Sequence, residues 1–219
     1  MSETVLIISS RNYSSWSLRG WLLARLSGID FTVAAVGADA QAAARAELLM
    51  RTSSILVPCL VHDGLEVWDT LAIAEFLNEI RPEAGMYPHG RAARARCRSI
   101  CGEMHSGFSA LRSTLPMNLR ARRSGFRLWS AAQADVSRIC KIWTECLAQF
   151  GGPWLFGEQY SVADAMYAPV ATRFVTYDVS LDPVCAAYRD RSLAHDLLQE
   201  WTAAALTEVD EVPELDVEF

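Results

Sequence analysis

The chain has no uninterrupted run of the roughly 18–20 apolar residues that a membrane-spanning helix needs, so no membrane partner is expected. It has no Cys-x-x-Cys pair. Cys59, Cys97, Cys101, Cys140, Cys146 and Cys185 fall at spacings that match neither a dithiol redox motif nor a zinc site. Dithiol exchange and a resident metal are therefore not expected, and the six thiols read as buried apolar groups in a reducing compartment. A basic excess is also missing: 20 Lys and Arg against 26 Asp and Glu give a net charge of −6, the wrong balance for a nucleic-acid partner. The opening "MSETVLIISSRNYSS" lacks the basic start, long apolar centre and small-residue cleavage site of a secretory leader, and a cytoplasmic location is the expectation.

What is present is a chain of 219 residues, 51% hydrophobic and with seven Trp, enough for a sizeable core. Its first eighty residues change period repeatedly. Residues 4–9 read as a buried strand and 17–28 as a helix, with Leu18, Leu22 and Leu26 on one stripe and Gly28 at the stop. Residues 30–36 alternate like a strand, and the Ala-rich 38–51 reads as a helix. "LVPCLVHDG" and "LEVWD" are two short strands around His62–Asp63–Gly64, a hairpin signal. An amphipathic helix over 70–82 stops at Pro82. The order βαβαββα makes an α/β unit over residues 1–82.

After a connector over 83–90 the strand signals end. Residues 91–122 read as one long helix, bent near Gly102 or Gly107, followed by helices over 128–150, 162–177 (with Pro169 inside) and 193–209. "SVADAMYAPV" carries the capping-box spacing from Ser161 to Asp164, a stability device. From Glu208 onward the chain is acidic without Lys or Arg and reads as solvated. An all-helical domain over 91–219 follows the α/β domain.

Three short motifs concentrate chemistry in the first domain. "NYSSWSLRGWLL" places Tyr13, Ser14, Ser15 and Trp16 at a strand-to-helix turn, where hydroxyls either cap the helix or hold an anion or thiolate. "LVPCL" puts Val57 before Pro58 at the entry to the hairpin. "VWDTLAIAEFL" opens a helix with Asp69 and Thr70, either an N-cap with a dipole partner or a site for a zwitterionic ligand.

In this order, ahead of a helical domain with "YSVADAMYAPV", the motifs resemble the cytosolic glutathione transferases over nearly the whole chain. "NYSSWSLRGWLL" is most similar to the bacterial serine-type group close to the zeta class. The resemblance implies a thioredoxin-like N-terminal domain, an all-helical C-terminal domain, a homodimer, glutathione as cosubstrate and a small-molecule electrophile as partner. It implies catalytic roles for Ser14 first and Ser15 second, with Tyr13 as a third candidate. It further implies a cis Val57–Pro58 bond whose Val57 backbone pairs with the cysteinyl backbone of glutathione, and Asp69–Thr70 for its γ-glutamyl end. Trp16 either lines the electrophile side or packs under the helix. In "EMHSGFSALRSTLPMN", Met104, Phe108, Leu111 and Leu115 form a stripe that serves as core or as electrophile wall. His105 and Arg112, seven apart, either bind an acidic substrate or polarise a carbonyl, or are a solvated pair next to the many Arg of 91–98.

The chemistry needs a thiol of pKa ~8.5 lowered by about two units, or roughly 2.7 kcal/mol. A charged hydroxyl hydrogen bond of about 1.5–3 kcal/mol and a helix N-terminus supply that. One departure stands out: Ile55 and Leu56 occupy positions where the family commonly carries Gly and a basic residue. Two alternatives therefore stand beside the enzyme: a non-catalytic protein of the same fold used for partner binding or regulation, and a natural-product pathway enzyme that needs no glutathione.

Overall fold

A computed structural model describes residues 3–35 and 57–208. The expected helix over 38–51, and Ile55 and Leu56, lie outside the described residues.

Strand β1 (Thr4–Ile8) is buried and leads into helix α1 (Ser15–Leu26), which returns the chain to β2 (Thr32–Ala35), parallel to β1. Parallel neighbours need such a crossover. Strands β3 (Cys59–His62) and β4 (Leu65–Trp68) form the expected hairpin, with Asp63 and Gly64 both at positive φ (50° and 78°), as a two-residue turn that follows the sheet twist requires. The sheet order is β2-β1-β3-β4, and β3 runs antiparallel to β1. Helix α2 (Thr70–Ile80) closes the unit and ends before Pro82.

The second half is helical but divided differently from the expectation. The long helix over 91–122 is instead α3 (Arg91–Ser106) and a short α4 (Ser109–Thr114). The break has a local cause. Gly107, the C-cap, turns to extended backbone at ψ −168°, and Phe108 takes a left-handed conformation at φ 59°. Beyond Thr114, Pro116 has no N–H and disfavours helical geometry at Leu115, so 115–129 carries no helix.

Helices α5 (Ser130–Phe150) and α6 (Val162–Thr176) fall where expected. The capping box forms: Asp164 Oδ2 accepts from the Ser161 N–H and hydroxyl at 2.9 and 2.7 Å. Burial raises the Asp164 pKa even against these bonds and that from Tyr188.

The expected helix over 193–209 is in fact the second of two, α7 (Pro183–Ala194) and α8 (Asp196–Thr207). The sequence reading missed α7 although its start is well marked, with Pro183 at the first position and Asp182 Oδ1 accepting from the Val184 and Cys185 N–H groups. Glu208 is not part of a solvated tail. Its carboxylate accepts from the Ser10 hydroxyl (2.6 Å) and from the N–H groups of Arg11 (2.8 Å) and Asn12 (3.0 Å).

Helix α6 is buried at every position except Val175 and forms the axis on which both halves pack. One continuous apolar cluster runs from Leu6 and Leu22 through Met104 and Met166 to Trp201. No helix among the described residues is long and apolar enough to cross a membrane.

Candidate functional site

The β1–α1 turn is held from several directions. Asn12 is fully buried; its side-chain oxygen accepts from the Leu119 and Arg120 N–H groups, and its amide donates to Asn118 Oδ1 at 3.1 Å. Arg120 in turn donates to the carbonyls of Ala205 and Glu208. The Tyr13 N–H donates to the Ser10 hydroxyl at 3.2 Å. With the Glu208 carboxylate, these bonds fix the turn from the helical half.

The two serines have separate environments. Ser14 is the N-cap of α1, so the helix begins at Ser15, two residues earlier than the sequence suggested. The Ser14 Oγ accepts from the Ser17 N–H at 3.2 Å and donates its hydrogen to Ser17 Oγ at 2.9 Å. Ser17 Oγ also accepts from the Ser9 N–H. Ser15 Oγ instead accepts from Nη2 of Arg173 at 3.2 Å. Its own hydrogen meets no acceptor among the described residues.

Trp16 is half-buried between two guanidinium groups, Arg112 at 4.6 Å and Arg19 at 4.8 Å from its ring centre, and the His105 ring lies 5.2 Å away. Arg19 is fully buried, donating to the carbonyls of Met166 (2.7 Å) and Ser15 (3.3 Å). Burial, with the charges of Arg112 and Arg173 added, pulls its pKa below the usual guanidinium range. Arg112 is half-buried, donates to the Gly107 and Met104 carbonyls, and is lowered by burial in the same way. Phe108 and Met104 are buried in the core cluster, as are Leu111 and Leu115. The stripe is therefore core.

The Val57–Pro58 peptide bond is cis, as expected, and Pro58 is buried against α1. The close approach depends on Gly20, where a Cβ would come within 2.5 Å of the Pro58 Cβ.

Asp69, at φ 75°, is the N-cap of α2, one residue ahead of the expected cap, and its Oδ1 accepts from the Leu71 N–H at 2.8 Å. Its Oδ2 pairs with Nε2 of His105. His105 was expected at the electrophile wall; here it joins the helical half to the start of α2 while still touching Trp16. Thr70, the first residue of α2, is 1% exposed, and its Oγ1 is buried without a hydrogen-bond partner among the described residues.

Arg19 and Arg173 are the site residues that sequence reading missed. A signal existed: each is a charge set in an apolar stretch of its helix, in "SLRGWLL" and "VATRFVT". A buried charge almost always has a partner or a task.

All six cysteines are free thiols. Cys140, Cys185 and Asp182 bring their ligand atoms within 4.8 Å of one another, a grouping that spacing in the sequence did not reveal. A cavity of about 950 Å³ lined by Arg122, Arg123, Phe126 and Trp129 shares no residue with the serine turn.

Residues 13–80 match the family model for the glutathione S-transferase N-terminal domain, and residues 91–204 that for its C-terminal domain. A maleylacetoacetate isomerase of Rattus norvegicus is 26% identical over 183 residues, 83% of this chain and 82% of its own length. A probable maleylacetoacetate isomerase of Caenorhabditis elegans is 25% identical over 83% of each. Among solved structures, a glutathione transferase homologue from Burkholderia gl BGR1, with bound glutathione, aligns with a TM-score of 0.72 at 20% identity. That alignment covers 95% of this chain and all of that one. The maleylacetoacetate isomerase of Anaeromyxobacter dehalogenans 2CP-1, with bound glutathione, aligns at 0.67 and 23% identity over 95% and 99%.

Proposed function

Because the chain belongs to the glutathione S-transferase family, with both domain models matched in order, we propose that it is a glutathione-dependent enzyme acting on a small electrophile. The reaction is conjugation, or thiol-assisted cis–trans isomerisation of an activated double bond as the names of its curated relatives suggest.

The observation that carries this reading is Thr70. Folding has buried a hydroxyl and left it without a partner among the described residues, at the start of a helix whose cap, Asp69, offers a carboxylate beside it. An unpaired buried hydroxyl costs roughly 1–3 kcal/mol unless something arrives to bond it. An amino-acid end group matches both: its carboxylate takes the Thr70 hydroxyl and free N–H groups of the helix start, and its ammonium takes Asp69. The Val57 backbone beside Pro58 is the strand-like edge for the peptide portion.

Glutathione bound there supplies a thiol that becomes a nucleophile as the thiolate. The protein contributes the N-terminus of α1 and the Ser14–Ser15 hydroxyls, of which Ser15 has its hydrogen uncommitted. Trp16, flanked by Arg19 and Arg112, gives the second-substrate side a cationic wall, which favours electrophiles carrying a carboxylate.

A cytoplasmic homodimer completes the proposal; the exposed Leu65 and Trp68 on edge strand β4 support an association surface there. The test is calorimetric titration with reduced glutathione at neutral pH, followed by turnover of acidic, unsaturated electrophiles. Binding in the micromolar to low-millimolar range with turnover is expected. Binding without turnover of any electrophile would favour the non-catalytic alternative. No heat would mean that Ile55 and Leu56 have removed the thiol site.

A further inference from the structure

Arg173 is fully buried on α6, and its guanidinium reaches across to the N-terminal half. Nε donates to the Leu115 carbonyl at 2.8 Å and Nη2 to Ser15 Oγ at 3.2 Å, while Nη1 has no partner among the described residues. Among the described residues, none of Arg19, Arg112 and Arg173 has a carboxylate within ion-pair distance. Three guanidinium groups thus stand around Ser15 and Trp16 with no counter-charge, an arrangement that costs several kcal/mol unless an anion belongs there. Burial and the neighbouring charge of Arg112 pull Arg173 down to about 9, which keeps it a cation at neutral pH; the Tyr177 phenol, at the C-cap of α6, works in the opposite direction.

We propose that Arg173 is a positioning residue for the thiol chemistry: it holds Ser15 Oγ as an acceptor, so that the Ser15 hydrogen is directed to the glutathione sulfur. A hydroxyl has one hydrogen to donate and two lone pairs to accept. With Nη2–H on a lone pair, the Ser15 hydrogen turns away from the guanidinium. The hydrogen of Ser14 is given to Ser17. No bond within the protein is made or broken. The thiol proton leaves to solvent, Ser15 keeps its own, and the polarised hydroxyl is a stronger donor than an isolated serine.

The proposal rests on the glutathione reading above, so its test separates the two. The bound thiol is titrated through the ultraviolet absorbance of its thiolate in wild type, Arg173→Met, Arg173→Lys, Ser15→Ala and the Met/Ala double variant. S-methylglutathione, which has no thiol, is titrated alongside as a binding control. The expected result is a bound thiol pKa about one unit higher in R173M, a tenfold smaller ratio of thiolate to thiol near neutrality. S15A gives the same rise, the double variant adds nothing further, R173K restores most of the wild-type value, and S-methylglutathione binds all forms alike.

An unchanged thiol pKa in folded R173M overturns the proposal, as does full additivity of the two substitutions, since a residue acting through Ser15 must lose its effect when Ser15 is gone. Should R173M not fold, S15A decides: no shift there, or a shift in Ser14→Ala instead, overturns the proposal. If wild type binds neither glutathione nor S-methylglutathione, the functional reading itself falls. Binding without a shift in the variants removes Arg173 alone.

Discussion

Thr70 separates a residue kept for folding from one kept for a ligand. Its hydroxyl is buried and has no hydrogen-bond partner among the described residues, a cost of roughly 1–3 kcal/mol if nothing bonds it. Thr70→Val keeps the branching at Cβ and removes the polar atom. The variant should therefore equal or exceed wild type in denaturant midpoint, while its affinity for glutathione falls by about tenfold, or about 1.4 kcal/mol. Lower stability with unchanged affinity would show that the hydroxyl serves the fold. At this scale the sequence was informative about residue types: Ser14, Ser15, Val57, Asp69 and Thr70 were all legible as candidates. It was silent on which serine has a free hydrogen, because that depends on Arg173, 158 positions away.

Helix α1 can lie against the Pro58 turn only because Gly20 has no side chain. An added Cβ would come within 2.5 and 2.6 Å of Pro58 Cβ and Cγ, well inside contact distance, and the proline ring cannot rotate away. Gly20→Ala therefore sets two effects against each other. Helix propensity gains about 1 kcal/mol, and overpacking costs about 1–3 kcal/mol. The clash should win. The expected outcome is a lower melting temperature together with weaker glutathione binding, since the displaced segment carries Val57; a variant more stable than wild type with unchanged affinity would refute this. Periodicity found most of the elements. It failed at Gly107–Phe108, where a left-handed residue ends the helix, and at α7, where Asp182 and Pro183 marked a start that was overlooked.

At the scale of the whole molecule, the two family domains share one core. Helix α1 packs on α6, Arg19 donates to the Met166 carbonyl, Arg173 bonds Ser15, Asp69 pairs with His105, and Glu208 ties the end of α8 to the β1–α1 turn. Each of these links joins a residue of the first eighty to one beyond Arg91. Equilibrium unfolding should therefore be a single transition, with tryptophan fluorescence and far-ultraviolet dichroism coinciding. The fragment 1–82 should show no cooperative melt, because the inner face of α1 would be left in water. Two separated transitions, or a cooperative fragment, would show instead that the halves are energetically independent.

The sequence by itself determined what is local: the strand and helix periods of residues 4–35 and 59–80, the Asp63–Gly64 turn, the capping box at Ser161–Asp164, and the order of motifs that marks the family. These depend on neighbours within a few residues and are written in the chain at that range. Tertiary structure alone decided the electrostatics of the site. Whether Arg19, Arg112 and Arg173 are solvated surface charges or a buried group around Ser15 depends on how α1, α4 and α6 meet. Whether Asp69 faces water or His105 depends on where α3 comes to rest. Desolvation and charge–charge interaction act through space between residues far apart in the chain, and no local pattern records them.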